Sequence, residues 1–453
     1  VLIGVVPALV LVACGGGSGT VRTTTTRADG APPAPKLRPR ACPDVAGFRC
    51  FALTVPLHRR GPGVRDGKAL ALRVAVQRVA SAPRGDFLML TGGPGQDGLD
   101  FAPDVATRLR AAAKGYRLVF VDQRGTGATA LRCPALQRQV GTSDLAVPTT
   151  AAVTACARSL GRARDAYATA DTVADLDALR RALGAKTWVA GGVSYGTFVA
   201  ERLALAHPGT VSKLVLDSVV PQQGAELLER VPLRAVGRVL GADAAADLTR
   251  VVAADPSLGP KLFDALTERS IGVPRLAGVP AVLHAAAGGD RSGLDALLTS
   301  AQRGQAGAPA AIYSTGLHAA TLCADSPAPW RTPAAPAAAR DRALDGLRAG
   351  LAPEQTAPFP TSTALAQGLL VTCRAWPPTP APPAPPDGAT IAAPALLLAG
   401  DHDLSTPLEW AREQAARMAH PRLVVLAGAG HSVLSRARGT TARDALRRFL
   451  AAR

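Results

Sequence analysis

Three residues far apart in the chain, Ser194, Asp403 and His431, have the types and the order needed for nucleophilic attack on a carbonyl. A serine hydroxyl is a poor nucleophile near neutral pH. It needs an imidazole to take its proton and a carboxylate to orient that imidazole. Ser194 stands in Gly192-Val193-Ser194-Tyr195-Gly196, after the apolar run 187–190 and before the helix-like run 197–206. Strand, tight turn, helix is the context in which a Gly-x-Ser-x-Gly turn strains the backbone and lifts the hydroxyl clear of a sheet. Side chains at the two flanking glycines would collide with the neighbouring strand and helix. His431 lies in Gly428-Ala429-Gly430-His431-Ser432, after the apolar run 423–426, and two carboxylates, Asp401 and Asp403, follow the run 396–398. Of the other histidines, His402 would sit beside the acid and not opposite it, and His420 precedes a proline at a helix end. Attack on a carbonyl also needs two N–H groups aimed at the developing oxyanion. Tyr195, the residue after the nucleophile, offers one. The turn Thr91-Gly92-Gly93-Pro94-Gly95 offers the other, from Gly93 with Gly92 as the alternative.

The elements that must hold these residues follow from the apolar pattern. Short buried runs at 87–90 and 117–121 lead into glycine-rich turns, with a helical stretch at 104–114 between them. The segment 69–80 alternates apolar and polar residues, a strand signal. An amphipathic helix over 171–183, capped by Gly184, precedes the serine-bearing strand, and 213–217 is the next strand. Buried strands alternating with helices predict an α/β fold, a mostly parallel central sheet with helices on both faces. From 221 to 386 strand signals vanish and Ala- and Leu-rich helical segments take over, which predicts an inserted helical cap with a Pro-dense return at 377–386. The α/β rhythm resumes over 387–453. The core therefore divides into 41–220 and 387–453.

The 453 residues are 47% hydrophobic and 19% charged, a globular composition large enough for one big domain with an insertion. The net charge of +17 comes from scattered arginines, without a Lys/Arg block or interleaved aromatics, and this pattern argues against nucleic acid as a partner. Residues 1–14 form an apolar run ending Leu11-Val12-Ala13-Cys14, which resembles the lipobox of bacterial lipoproteins and makes Cys14 a candidate lipidation site. Residues 15–40, rich in Gly, Thr and Pro, read as a flexible tether to a membrane surface. Six further cysteines in an exported chain imply three disulfides, and sequence neighbours suggest Cys42–Cys50, Cys133–Cys156 and Cys323–Cys373. No Cys-x-x-Cys or His-Glu-x-x-His motif is present, so the sequence points to neither a metal nor a cofactor.

Five motifs occur in order: Gly92-Gly93-Pro94-Gly95, Asp122-Gln123-Arg124-Gly125-Thr126-Gly127, Gly192-Val193-Ser194-Tyr195-Gly196, Gly400-Asp401-His402-Asp403-Leu404-Ser405-Thr406-Pro407 and Gly430-His431. Together they resemble α/β-hydrolases of the prolyl iminopeptidase and tripeptidyl aminopeptidase type, peptidase family S33. The nearest likeness is to the exported actinobacterial branch with a TAP-like C-terminal segment. The resemblance covers about 42–453 and is weakest across the cap. It implies the α/β-hydrolase fold with an inserted helical cap and a Ser194–His431–Asp403 triad. The acid is Asp403 because the family uses the last Asp before an x-x-Thr-Pro step. It also implies an exported serine exopeptidase that cleaves short peptides from a free N-terminus without a cofactor. Cys323 and Cys373 resemble cap cysteines of that branch. Thr91, Asp97 and Ala128 depart from the family pattern and bear on substrate contacts, not on the triad. Asp122 and Arg124 are expected to form an ion pair bracing the oxyanion turn. Glu226 and Glu229, three apart on a predicted helix, could hold a substrate ammonium, but a solvated helix face is the expectation. The other readings are a carboxylesterase with the same triad and a non-catalytic surface lipoprotein on a hydrolase scaffold.

Overall fold

The computed structural model describes residues 35–59, 66–386 and 388–452. Cys14 and most of the expected tether lie outside them. Among the described residues, nine strands form one sheet in the order β1-β2-β3-β5-β4-β6-β7-β8-β9. They are β1 (Leu37–Arg40), β2 (Phe48–Pro56), β3 (Ala69–Gln77), β4 (Asp86–Leu90), β5 (Arg117–Val121), β6 (Trp188–Ser194), β7 (Val211–Val219), β8 (Ala395–Gly400) and β9 (Pro421–Leu426). Pairings among β1, β2, β3 and β5 are antiparallel, and every pairing from β5 through β4, β6, β7 and β8 to β9 is parallel. The central strands are buried on both faces, so they read as near-continuous apolar runs: in β8 Leu396, Leu397 and Leu398 are all 0% exposed. Fully burying a leucine contributes about 1.5–3 kcal/mol, so the loop that leaves β8 starts from a fixed point.

One strand falls within the stretch expected to be tether. The segment Leu37–Arg40 pairs with Cys50–Leu53 at the sheet edge. Its residues are mostly exposed and it contains Pro39, which is tolerated there because an edge strand has a solvent-facing side that needs no donor. Without alternation or burial, the segment carries no strand signal.

The order β5-β4-β6 matters most for the site. The chain passes from β4 to β5 on one side, then crosses over to place β6 on the other, so β4 is the switch point at which the sheet reverses direction. Loops leaving neighbouring strands diverge there and open a crevice at their carboxyl ends. Leu90 pairs with Gly192, which sets the turn after β4 beside the turn after β6. Among the described residues, nine α-helices lie between β7 and β8, from Arg230–Leu240 to Gly368–Ala375, around their own core of residues such as Leu233, Leu262, Phe263 and Leu370. The Pro-dense stretch 377–386 follows them without helix or strand. The disulfides Cys42–Cys50, Cys133–Cys156 and Cys323–Cys373 are all formed.

Candidate active site

Ser194 ends β6 with φ 56° and ψ −130°, a left-handed conformation costly for a residue with a Cβ. The helix Tyr195–Ala206 begins at the next residue. The glycines make this bend possible. A Cβ on Gly192 would lie 2.1 Å from the carbonyl oxygen of Gly196, and one on Gly196 would lie 2.6 Å from that of Leu90. The chain therefore doubles back close enough to exclude any side chain at either position.

The turn after β4 is held from several sides. Thr91 Oγ1 donates to the Gln96 carbonyl at 3.0 Å, and Gln123 Nε2 donates to the Thr91 carbonyl at 3.2 Å. Asp122 Oδ1 accepts the N–H groups of Gly98 and Leu99 at 3.0 and 3.1 Å. The expected Asp122–Arg124 ion pair is not what braces the turn. Asp122 has Arg73 at 3.6 Å, whereas Arg124 turns away to Asp175 at 2.7 Å and donates to the carbonyls of Pro56, Leu57 and Ala166. A guanidinium with five donors needs a carboxylate plus several carbonyls when fully buried, and that set exists under β2, not at the turn.

Asp403 and His431 leave the neighbouring strands β8 and β9. The imidazole Nδ1–H donates to Asp403 Oδ2 at 2.9 Å, which leaves Nε2 for proton transfer. Asp403 is 0% exposed and is held by the N–H groups of Ser405 and Thr406, both 2.9 Å from Oδ1, and by the Thr406 hydroxyl at 2.8 Å from Oδ2. The rival Asp401 instead engages His402 at 2.7 Å and the N–H of Gly428, and His420 is exposed. Burial alone pushes the His431 pKa down. The charge and hydrogen bond of Asp403, with the charge of Asp217, outweigh burial, and the net direction is up.

Asp217 had no recognisable signal in the sequence. It sits in β7 between the serine and acid strands, and burial pushes its pKa up to about 6. Its carboxylate accepts the N–H groups of Val433 and Leu434 at 2.9 Å, and Ser218 accepts that of Ser432 at 2.8 Å, so β7 holds the segment directly after His431.

Two cavities meet at Ser194. The larger, about 430 Å³, is lined by Gly92, Gly93, Ser194, His431 and Ser432 and extends to cap residues such as Asp264 and Tyr313. The smaller, about 60 Å³, is lined by Gly93, Ser194 and Tyr195 and carries three carboxylates, Asp144, Glu229 and Asp325. The expected solvated helix face at 226–229 is therefore wrong for Glu229. The helix starts later, at Arg230, and Glu229 precedes it in a left-handed conformation, 6% exposed. Burial, then the neighbouring Glu226 and Asp144, push its carboxyl pKa well above the usual carboxylate range. Glu226 stands apart, paired with Arg230 at 2.6 Å. Asp144 accepts the Tyr313 hydroxyl at 2.7 Å, and Asp325 accepts both the N–H and the hydroxyl of Thr169.

Comparison with known proteins agrees with this architecture. The family described as α/β hydrolase fold matches residues 87–258, and the family described as TAP-like protein matches residues 357–452. The chain is an α/β-hydrolase with a TAP-like C-terminal segment. Over 140 residues it is 34% identical to a probable proline iminopeptidase of Streptomyces coelicolor, which covers 31% of this chain and 34% of that protein. Over 190 residues it is 30% identical to a tripeptidyl aminopeptidase of the same organism, covering 38% and 35%. Over 243 residues it is 26% identical to the serine protease Hip1 of Mycobacterium tuberculosis, covering 49% and 46%. The matched region thus spans about a third of the length of the first two relatives and under half of the third.

Proposed function

We propose that this α/β-hydrolase is a serine exopeptidase that cleaves short peptides from a free N-terminus. The observation that carries the reading is the acidic cavity beside Ser194. A buried carboxyl such as Glu229, crowded by two further acids, is poorly placed to ionise alone. A substrate α-ammonium supplies the missing counter-charge, so the site favours a cation in the cavity beside the scissile bond. An N-blocked peptide or a simple ester brings no such charge.

In the proposed reaction Ser194 Oγ attacks the scissile carbonyl while His431 Nε2 takes its proton. The N–H groups of Gly93 and Tyr195 bind the oxyanion, and Asp403 holds the imidazole tautomer and stabilises its charged form. Collapse breaks the C–N bond, and His431 returns the proton to the leaving amine. Water, deprotonated by His431, then releases the acyl group from the serine. No cofactor enters this sequence.

The relatives named as peptidases support the substrate class, and three disulfides support an oxidising compartment outside the cytoplasm. Lipid attachment at Cys14 is part of the proposal, and persistence of a Cys14→Ala protein in the membrane fraction would count against it.

The deciding experiment compares alanyl and prolyl anilides with their N-acetylated forms and with p-nitrophenyl esters. Turnover of the unblocked anilides alone is expected. Ester hydrolysis without anilide cleavage would make the protein a carboxylesterase. Equal labelling of wild type and Ser194→Ala by a fluorophosphonate would remove the nucleophile assignment, and no labelling of either would point to a non-catalytic lipoprotein.

A further inference from the structure

The two cavities at Ser194 differ in which catalytic group they contain. His431 lines only the larger one, and Tyr195 lines only the smaller. The general acid must reach the leaving nitrogen, so the leaving peptide lies on the side of His431. The acyl part of the substrate, between the scissile carbonyl and the N-terminus, is left with the other cavity. Its size then fixes how much chain precedes the cut. At about 60 Å³ it has room for about four water-sized positions, against a leaving side of about 430 Å³.

The walls of the small cavity are stiff. Trp410 comes from the core helix Leu408–Ala415, which follows the Asp403 loop, and is 5% exposed. Leu369 comes from the cap helix Gly368–Ala375 and is 3% exposed. Phe198, 3% exposed, stands on the helix Tyr195–Ala206 that follows Ser194, with the Arg202 guanidinium stacked on its ring. Glu229 and Asp325 border the same space. A chain of three residues would have to pass both the apolar walls and the carboxylates, and its ammonium would lie far beyond them.

We propose that the protein removes one small residue per cut, of alanine or proline size, and that Trp410 and Leu369 are the residues that set this limit. The proposal rests on the aminopeptidase reading and adds a length and a size to it. The roomy side around His431 accepts the remainder of the peptide, so selectivity is strict before the cut and loose after it.

The test is a product analysis of tetra-alanine by wild-type protein, read by mass spectrometry at early times. Free alanine and trialanine are expected first. Release of an intact trialanine acyl product together with a single alanine leaving group, without trimming from the N-terminus, would overturn the proposal; alanine labelled at position 1 distinguishes the two routes. Cleavage of N-acetyl-tetra-alanine at the same rate would instead defeat the aminopeptidase reading. Trp410→Ala and Leu369→Ala each enlarge the cavity from a different element, so a folding defect in one does not remove the test. At least one is expected to raise kcat/KM for leucyl over alanyl anilide by on the order of tenfold. Folded variants with an unchanged ratio would show that these walls do not set the size limit.

Discussion

The backbone carbonyl of Ser270, the last residue of the cap helix Leu258–Ser270, accepts the N–H of His431 at 3.1 Å. The N–H of Gly272 returns a bond of 3.1 Å to the His431 carbonyl, so the cap forms a short parallel bridge onto the histidine itself. Ser270 Oγ also accepts the N–H of Leu404, next to Asp403, at 3.1 Å. One buried serine thus ties the cap to both the base loop and the acid loop. Ser270→Ala leaves the Leu404 N–H buried without a partner, a loss of about 1–3 kcal/mol. The expected outcome is a fall in kcat larger than any rise in KM, with a lowered Tm.

Gly430→Ala probes the same contact more harshly. A Cβ at this position would fall 1.8 Å from the Ser270 carbonyl oxygen, so either the cap or the histidine loop must move. A displacement near 1 Å at the reacting groups is expected to cost about 100-fold in kcat. Steady-state kinetics beside a near-UV circular dichroism spectrum will separate this from unfolding.

Asp403 and Thr406 act on His431 in different ways. Asp403→Asn keeps the shape but presents an amide to Nδ1, which favours the wrong tautomer, and a loss of about 10⁴ in kcat is expected by analogy with other triads. Thr406→Val removes a donor 2.8 Å from Asp403 Oδ2 and 3.1 Å from His431 Nδ1 while leaving the charge in place. Its effect should be smaller, on the order of tenfold. Equal losses in both variants would contradict this division of labour.

The pH dependence follows from the raised pKa of His431. The base must be neutral, so kcat/KM should rise with pH and reach half its plateau above the ordinary histidine value of 6.5. The same shift makes protonated His431 favour the fold. That stability is fully present below the unfolded value and is lost as pH rises through the higher folded one. Asp217→Asn removes a negative charge that raises the histidine value, so the ascending limb should move down. The variant should also lose stability, because one amide oxygen replaces a carboxylate that held two N–H groups, at about 1.5–3 kcal/mol for a charged hydrogen bond. An unmoved limb would rule out Asp217 as an influence on His431.

Arg124 and Asp175 bear on stability and not on chemistry. Both are buried, and Asp175 also takes Arg59 at 2.5 Å. Arg124→Met strips a cation from this group and should cost about 3–5 kcal/mol, read as a fall in the denaturation midpoint. Once folded, the variant should keep the wild-type pH profile.

What could be read from the sequence was local. Ser194, Asp403 and His431 each sit within a few residues of the end of an apolar strand, inside a turn whose glycines mark the bend. The elbow, the acid loop and the histidine loop therefore carry their own signals. The cysteine pairing was legible because each partner is the next cysteine along the chain. What could not be read depends on the cap. Glu229, Asp144 and Trp410 come to one cavity from three distant segments, and nothing in the local composition of any of them indicates a shared space. Glu229 showed this most sharply: helical spacing assigned it to a water-facing surface, whereas the helix begins one residue later and the side chain faces inward. The partner of Arg124 was missed for a related reason. Nearness along the chain favoured Asp122, but a buried guanidinium goes where carbonyls are already available.

The Cys323–Cys373 disulfide joins the helices Thr315–Asp325 and Gly368–Ala375. Asp325 lies two residues beyond one sulfur and Leu369 four residues before the other, and both face the small cavity beside Ser194. The bond therefore staples together two helices that border the small cavity, while Ser194, Asp403 and His431 all hang from the sheet. The strands Trp188–Ser194, Ala395–Gly400 and Pro421–Leu426, from which those three residues come, contain no cysteine, so opening this bond frees the two helices and not those strands. Under the proposed function, opening this bond is expected to change the ratio of kcat/KM values between substrates more than the rate of labelling at Ser194.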